Sequence, residues 1–312
     1  MSNVAVLVIN HNGAKYVDGC LKSLNKQTGN DFKTYFFDSG STDNSLEYVK
    51  SKYPEVEVLS FPNLGYTGTY NKGIEVINKK SKYDTYLLLN IDTILDHEAI
   101  KEINRIFFMK KDAGIVIPAV LDSNNKIDSI GGKYNFITGT TFGYKNGRMF
   151  KRGNNIYKCA WASGCCMAIK REVFEAVGGL DDYFMFYEDV SISWKTLRLG
   201  YEIYATNSTY VIHYGGGSKS PKAKAIEMCE TNRIRAYRRN FNPIIFYSYL
   251  PFLTVFRSAL FFYNTKGDTE LIKAKMRGLV SGLKYAFRLK EYDQEISMKS
   301  SIRLLKRIFE FR

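Results

Sequence analysis

Five short apolar runs alternate with segments of helical period through the first 120 residues, and this alternation constrains the fold more than any other feature of the chain. "VAVLVIN" (4–10) reads as a buried strand, and 16–27 as an amphipathic helix with Val17, Cys20, Leu21 and Leu24 on one face. "KTYFFD" (33–38), "VEVLSF" (56–61), "TYLLLN" (85–90) and "AGIVIPAV" (113–120) repeat the strand signal, with helix-period stretches between them. Strands and helices at this spacing predict an α/β fold, a mostly parallel sheet covered on both faces. Ligands of such sheets sit beyond the carboxyl ends of the strands, where Asn10, Asp38 and Asn90 fall. No Gly-x-Gly-x-x-Gly follows the first strand and no phosphate-loop motif occurs, which argues against a dinucleotide enzyme and a P-loop nucleotidase.

Beyond residue 120 the pattern changes. Residues 121–160 are rich in Gly, Asn, Tyr and Lys and read as irregular strands and loops, a lid or an acceptor-facing insertion. A helix over 170–179 stops at a Gly pair, and a second over 188–200 buries Val190, Trp194 and Leu197. Residues 209–218 form a strand running into a glycine loop. Charge divides the chain: residues 1–218 carry 25 Lys/Arg against 23 Asp/Glu, and residues 219–312 carry 20 against 8. The expected division is therefore a catalytic domain (1–218) and a basic, aromatic-rich helical tail (219–312) that meets an anionic partner. Within the tail, 244–263 is apolar but interrupted by Pro251 and Arg257, so a surface-lying helical pair fits better than a membrane span. Ile272, Met276, Leu279, Leu283 and Phe287 share a face of the next helix, opposite basic residues, and 301–312 repeats that recipe. Such helices read as membrane-surface elements; the plain alternative is packing on the front domain with a solvated basic face. Tyr237 among Arg233, Arg235, Arg238 and Arg239 could also stack and pair with a nucleic acid, although no nucleic-acid module is present. The five cysteines (20, 159, 165, 166 and 229) make a poor disulfide framework, and no signal-peptide pattern precedes the first strand. The expected setting is reduced and cytosolic, at the inner face of the cell membrane.

Several polar residues carry two readings each. Asp38 can accept hydrogen bonds from a base or sugar, or it can close an Asx-turn; Asp43 or Ser45 fits a helix cap. Asn90 and Asp92, one residue apart at a strand end, suit Mg²⁺ or Mn²⁺ held jointly with a diphosphate, or they are ordinary turn formers. His213 ends an apolar strand before Gly215-Gly216-Gly217-Ser218, as a metal or phosphate ligand or as a structural histidine. Glu188 and Asp189 follow four large side chains, Phe184 to Tyr187, and either cap a helix or do chemistry.

The ordered set "VLVINHNGAKYVDGCLKSL", "FDSGSTDNS", "NLGYTGTYNKGI", "LLLNIDTIL", "WASGCCMAIKREVFEAVGGLDDYFMFYEDVSISWKTLRLGY" and "VIHYGGGS" resembles the family 2 glycosyltransferases of the GT-A fold, in particular rhamnosyltransferase-like members. The resemblance covers about residues 3–240. It implies that Asn10, His11 and Asp38 contact the nucleobase and that Gly65 and Asn71 lie near the nucleotide. Asn90 and Asp92 match an Asp-x-Asp motif with Asn in the first place, leaving Asp92 as the metal ligand with His213 able to approach the ion. Trp161 and Gly164 match the block lining the donor and acceptor cleft, and Asp189 the catalytic base with Glu188 beside it. The implied activity is inverting transfer of a rhamnose or hexose from a dTDP- or UDP-sugar to a lipid-linked or glycan acceptor, assisted by a divalent cation. A non-catalytic sugar-nucleotide-binding subunit is the alternative. Ser191 and Lys195 depart from the family pattern, which has a third acid and an arginine there, and Tyr70 sits where Asn or Arg is usual. Ser191 is the position where altered specificity is expected.

Overall fold

The apolar runs form the centre of a ten-stranded sheet. A computed structural model describes residues 3–29, 32–136, 138–215, 221–265, 267–288 and 296–310. The front half runs β1 (Val4–Asn10), α1 (Ala14–Asn25), β2 (Phe32–Ser39), α2 (Ser45–Lys52), β3 (Glu57–Phe61), α3 (Gly65–Asn78), β4 (Thr85–Asn90), β5 (Thr93–Leu95), α4 (Ala99–Met109) and β6 (Ala113–Leu121). Then come β7 (Ile127–Ser129), β8 (Gly132–Asn135), β9 (Thr140–Gly143), β10 (Ile156–Cys159), β11 (Cys166–Lys170), α5 (Arg171–Ala176), α6 (Glu188–Leu199) and β12 (Glu202–His213). The tail comprises α7 (Lys222–Asn240), α8 (Pro243–Pro251), a π-helical turn (Phe252–Phe256), α9 (Arg257–Thr265), α10 (Thr269–Arg288) and α11 (Met298–Glu310).

Strand order is β10-β12-β6-β11-β4-β1-β2-β3, with β5 added to β12 and β7 to β6. The strands β4, β1, β2 and β3 are mutually parallel, as the alternating pattern predicts. The sheet as a whole is mixed, because β11 returns antiparallel and wedges between β4 and β6. All seven residues of β1 are buried, as a strand covered on both faces requires. Register puts Asn10 opposite Asp38 and Ile9 opposite Asn90, so these polar ends share one edge. Pairing of His213 with Thr93 brings the end of β12 to the same edge. The weakly patterned 121–160 region supplies the β8–β9 ribbon and two strands joined to the large sheet.

The tail packs into the same core. Trp194 of α6, fully buried, meets Tyr134, Tyr237 and Phe241 with ring centroids 4.8, 5.0 and 5.3 Å away. Leu304 and Ile308 of α11 join that cluster. The expected boundary at 218/219 lies among residues 216–220, outside the described residues, as do Gly216 to Ser218 of the glycine loop. One expectation for the tail changes. Residues 243–265 form one continuous helical rod rather than a pair, because Pro251 and Arg257 flank a π turn that absorbs the break. This rod is long and apolar enough to cross a membrane, with mean hydropathy 1.5 and 22% of its most apolar stretch buried. In α10 the buried face is Leu271, Ala274, Lys275, Gly278, Leu279, Gly282 and Ala286, whereas Met276 and Phe287 are exposed. Small residues win this face because α7 lies close: a Cβ at Gly278 would meet the Glu227 main-chain oxygen at 2.5 Å, and one at Gly282 the Ile234 side chain at 2.9 Å.

The nucleic-acid arrangement of α7 does not form. Tyr237 is fully buried, Arg233 pairs with Glu230, Arg235 with Asp182, and Arg239 with both Asp181 and Asp182. Because Tyr237 sits between the two parts of the chain, Tyr237→Ala should cost about 3–5 kcal/mol of unfolding free energy in a single cooperative transition. Chemical denaturation checks this; a loss below about 1 kcal/mol would mean that the tail packs as a separate unit.

Candidate active site

The ends of β1, β2 and β4, the loop from β3 into α3, the turn at Phe184 and Met185 and the start of α7 enclose a cavity of about 220 Å³, with His11, Asn63, Tyr66, Asn90, Asp92 and Lys224 among its walls. The loop after β1 is fixed by Asn10, whose Oδ1 accepts from Gly13 N (3.1 Å) and whose Nδ2 faces Asp38, Ser41 and Ser45. Asp38 accepts from Asn10 and from Ser41 N (3.1 Å) and Oγ (2.5 Å), a turn-closing arrangement that leaves it 1% exposed and behind the cavity wall. Asp43 accepts from Ala14 N (2.9 Å), so it serves the first turn of α1 as well as its own loop. His11 is exposed at the cavity, its ring held by the Ser39 carbonyl through Nδ1 (2.8 Å). Gly65 adopts φ +70, and a Cβ there would lie 2.4 Å from the Phe184 carbonyl, so only glycine admits this approach of the two loops. Asn71 does not face the cavity. Its Nδ2 donates to Leu180 O (2.8 Å) and its Oδ1 accepts from Leu180 N (3.0 Å), so both ends of the amide stitch α3 to the loop after α5.

Asp92 lies in the turn between β4 and β5 rather than on the strand, 2% exposed, with Oδ1 3.4 Å from His213 Nε2. Asn90 Oδ1 is buried there without a hydrogen-bond partner. A carboxylate, an imidazole and an orphaned amide oxygen fit a hard divalent ion that completes its shell with diphosphate oxygens. Among the described residues no group of three or more His, Cys, Asp or Glu converges, so the protein alone offers an incomplete shell.

Glu188 and Asp189 open α6 after two consecutive residues in left-handed backbone, Phe186 (φ 72) and Tyr187 (φ 71). For non-glycine residues that region costs about 1–2 kcal/mol each, and such strain gathers at functional sites. Trp161 Nε1 donates to Asp189 Oδ2 (3.0 Å) and Val190 N to Asp189 Oδ1 (2.8 Å), so both oxygens are held. Gly164 lies against the pair: a Cβ there would sit 3.4 Å from that of Asp189. Its carbonyl accepts from the Tyr66 hydroxyl (2.7 Å), which joins this corner to the cavity. A helix start favours the anion, but burial wins here. Loss of water, reinforced by the neighbouring Asp189, pushes Glu188 up to about 8, and burial also raises Asp189 against the bonds from Trp161 and Val190. Glu188 Oε2 is buried without a partner, in keeping with a neutral acid poised to donate.

Ser191, expected to mark altered specificity, and Lys195, which stands in place of the family arginine, both face away from the cavity. Ser191 is 1% exposed and donates to Asp181, which also takes Lys195 Nζ (2.7 Å) and Arg239 (2.8 Å). Cation and hydroxyl together outweigh burial and hold Asp181 below the usual carboxylate range. This network ties α6 to α7. Tyr70 likewise points inward, its hydroxyl donating to the carbonyls of Leu7 (3.3 Å) and Leu89 (3.2 Å). Asn63, Tyr66 and Lys224 line the cavity without having been singled out in the sequence, since only long-range folding brings α3 and α7 to the strand ends.

The family model for Glycosyl transferase family 2 matches residues 5–178. The chain is 23% identical over 233 residues to an N-acetylglucosaminyl-diphospho-decaprenol L-rhamnosyltransferase of Mycobacterium tuberculosis, covering 67% of this chain and 75% of that protein. It is 24% identical over 186 residues to the O-antigen chain rhamnosyltransferase WbaN of Salmonella anatum, covering 58% and 56%. Among solved structures it superposes on GalNAc-T7 bound to UDP, GalNAc and Mn²⁺ with TM-score 0.62 and 16% identity, over 93% of this chain but 56% of that one. The mannosyltransferase PcManGT of Pyrobaculum calidifontis, with GDP-Man and Mn²⁺, superposes with TM-score 0.55 and 13% identity, over 99% and 86%. These neighbours show the GT-A fold.

Because Glu188 binds its proton more tightly folded than unfolded, the native state holds the extra proton between pH 4.5 and about 8, and stability falls as pH rises through that window. Glu188→Gln removes the titration. Its melting temperature relative to the parent should therefore climb steadily from pH 5 to pH 8, read by calorimetry across buffers; a flat difference would place Glu188 in water.

Proposed function

The chain belongs to glycosyl transferase family 2, and from that premise we propose that it is an inverting glycosyltransferase acting on a lipid-linked or glycan acceptor. One observation carries the reading: Asp189, with both oxygens anchored by Trp161 and Val190, stands at the corner where Tyr66 and Gly164 meet the strand-end cavity. A nucleoside diphosphate sugar bound in that cavity would lie against His11 and Asn90, its diphosphate toward Asp92, His213 and Lys224. The acceptor oxygen forms a bond to the anomeric carbon while its proton passes to Asp189. The bond from that carbon to the diphosphate oxygen breaks, and the electron pair leaves with the diphosphate. A single displacement inverts the carbon. Glu188, neutral near pH 7, donates to the acceptor or sugar rather than competing as a base. Asp92 and His213, with the Asn90 amide oxygen, would hold a divalent ion, which when bound would neutralise charge on the leaving diphosphate.

The donor is a dTDP- or UDP-linked rhamnose or hexose; the names of the rhamnosyltransferase relatives favour rhamnose. The diphospho-decaprenol in one relative's name supports a lipid-linked acceptor and a place at the cytoplasmic face of the membrane. The exposed side chains of the 243–265 rod agree with that placement. Ile244, Val255 and Tyr263 are 66%, 71% and 83% exposed, and Met276, Val280 and Phe287 of α10 extend the patch beside exposed Lys273, Arg277 and Lys284. Apolar area flanked by cations suits an anionic bilayer.

Two outcomes check this. With a panel of dTDP-rhamnose, UDP-hexoses and GDP-mannose, Mn²⁺ and N-acetylglucosaminyl-diphospho-polyprenol, the protein should release nucleoside diphosphate. Asp189→Asn should lower kcat about 10²–10⁴-fold while keeping nucleotide affinity, and equal turnover would remove the base assignment. Flotation with phosphatidylglycerol vesicles should retain the parent and lose a Val255→Glu, Tyr263→Glu variant; equal flotation would move the docking face elsewhere.

A further inference from the structure

The helix α7 lies beyond the matched residues 5–178, yet it holds the turn that presents the two carboxylates. Asn232, 4% exposed, donates from Nδ2 to the main-chain oxygens of Met185 (2.9 Å) and Phe186 (3.1 Å). The next residue, Arg233, donates from Nε to the Tyr187 hydroxyl (2.7 Å), which donates onward to the Gly139 carbonyl (2.5 Å). Two successive residues of one helix thus grip three successive residues of the turn, and the last two of these are the left-handed Phe186 and Tyr187. Neither Phe nor Tyr favours that backbone, so it persists only where the surroundings impose it. The grip has its own anchor: Arg233 pairs with Glu230, and Glu230 takes Lys275 of α10 (2.8 Å), all three nearly out of water.

We infer that Asn232 and Arg233 are positioning residues for sugar transfer, setting the place of Glu188 and Asp189 through the strained turn. On this view α7 belongs to the catalytic unit and is more than a link to the membrane face. The inference rests on Asp189 being the base. Without the Asn232 amide the turn relaxes, Asp189 moves away from Trp161, and a displacement of roughly 1 Å at the reacting oxygen costs up to about 10²-fold in rate. Phe184 and Met185 line the cavity too, but Phe184 is held independently through its carbonyl by Tyr66 N (2.7 Å), and the walls from His11, Ser39 and Asn63 do not touch Asn232.

The test uses the full chain and whichever panel donor gives turnover. Asn232→Ala should lower kcat about 10–100-fold while calorimetry with UDP and dTDP finds the parent's nucleoside diphosphate affinity. The acidic limb of its pH–kcat profile should move to higher pH, since the bond from Trp161 that favours the Asp189 anion is lost. Phe186→Gly, placed in the Asn232→Ala background, should recover part of kcat, because glycine takes positive φ without strain. Should Asn232→Ala fail to fold, Tyr187→Phe removes the hydroxyl that Arg233 and Gly139 hold, keeps the ring, and should shift kcat and the limb in the same directions. A kcat within a factor of about three of the parent, or a loss matched by nucleotide affinity with the limb unmoved, overturns the inference. Asp189→Asn run alongside separates the two readings. Turnover intact in that variant removes the base assignment, whereas turnover lost there but kept in Asn232→Ala removes the positioning role alone.

Discussion

Two adjacent carboxylates held out of water set the terms for the rest of the structure. Glu188 and Asp189 would repel each other and lose hydration at a cost that a helix start cannot offset alone. The surroundings meet this in different ways for each. Asp189 receives one donor on each oxygen, from Trp161 and Val190, and can carry charge. Glu188 has one oxygen buried without a partner and keeps its proton to about pH 8. Burial raises both acids, but at Asp189 two donors oppose the rise while one Glu188 oxygen has none. The helix that bears them is then fixed from behind by Trp194 in the aromatic core and by the Asp181 cluster.

The strand-end cavity follows a different logic. Its nucleotide side is shaped almost entirely by side chains bonding to main chain and to one another: Asn10, Asp38, Ser41 and Asp43 use their polar atoms to freeze loops. Residues that look like ligands in the sequence are, in part, the frame that positions ligands. His11, Asn90 and Asp92 remain at the surface of the cavity, and Lys224 brings a cation from the tail. Asp92 is a single acid where the Asp-x-Asp motif that the sequence resembles has two, so this end of the cavity is less negative, and Lys224, which also lines the cavity, would attract a diphosphate directly.

Much of this was legible in the sequence, for reasons that can be named. The central parallel strands β1 and β4 announce themselves because strands buried on both faces must be almost uniformly apolar, and register with β2 then puts Asn10, Asp38 and Asn90 at one edge. The antiparallel wedge of β11 was not legible, since "CMAIK" carries no sign of direction. Asn71 was expected near the nucleotide and Ser191 to mark altered specificity; they bond Leu180 and Asp181 instead, because motif position says which segment a residue occupies but not which way its side chain turns. Local pattern did not show which residues of α10 pack inward: of the apolar stripe Leu279 is buried while Met276 and Phe287 stay exposed, and close approach to α7 selects Gly278 and Gly282 for small volume, not for hydrophobicity.

The same close approach bears on what the tail is for. A helix that merely tethered the protein to lipid could pack loosely. Here α10 is pressed onto α7 with Lys275 completely buried against Glu230, an arrangement that costs desolvation and is tolerable only if every partner stays in place. Burial and the nearby arginines lower the Lys275 amine to about 8, against the pull of Glu230, so the charge it contributes is itself marginal. Such a pair is a poor source of stability and a good source of register. It fixes α7 lengthwise, and with it the reach of Asn232 and Arg233 to the turn at 185–187. A slip of one helical residue, about 1.5 Å, would break both grips at once. α10 and the Glu188–Asp189 pair are therefore joined through α7 by a short, stiff set of contacts.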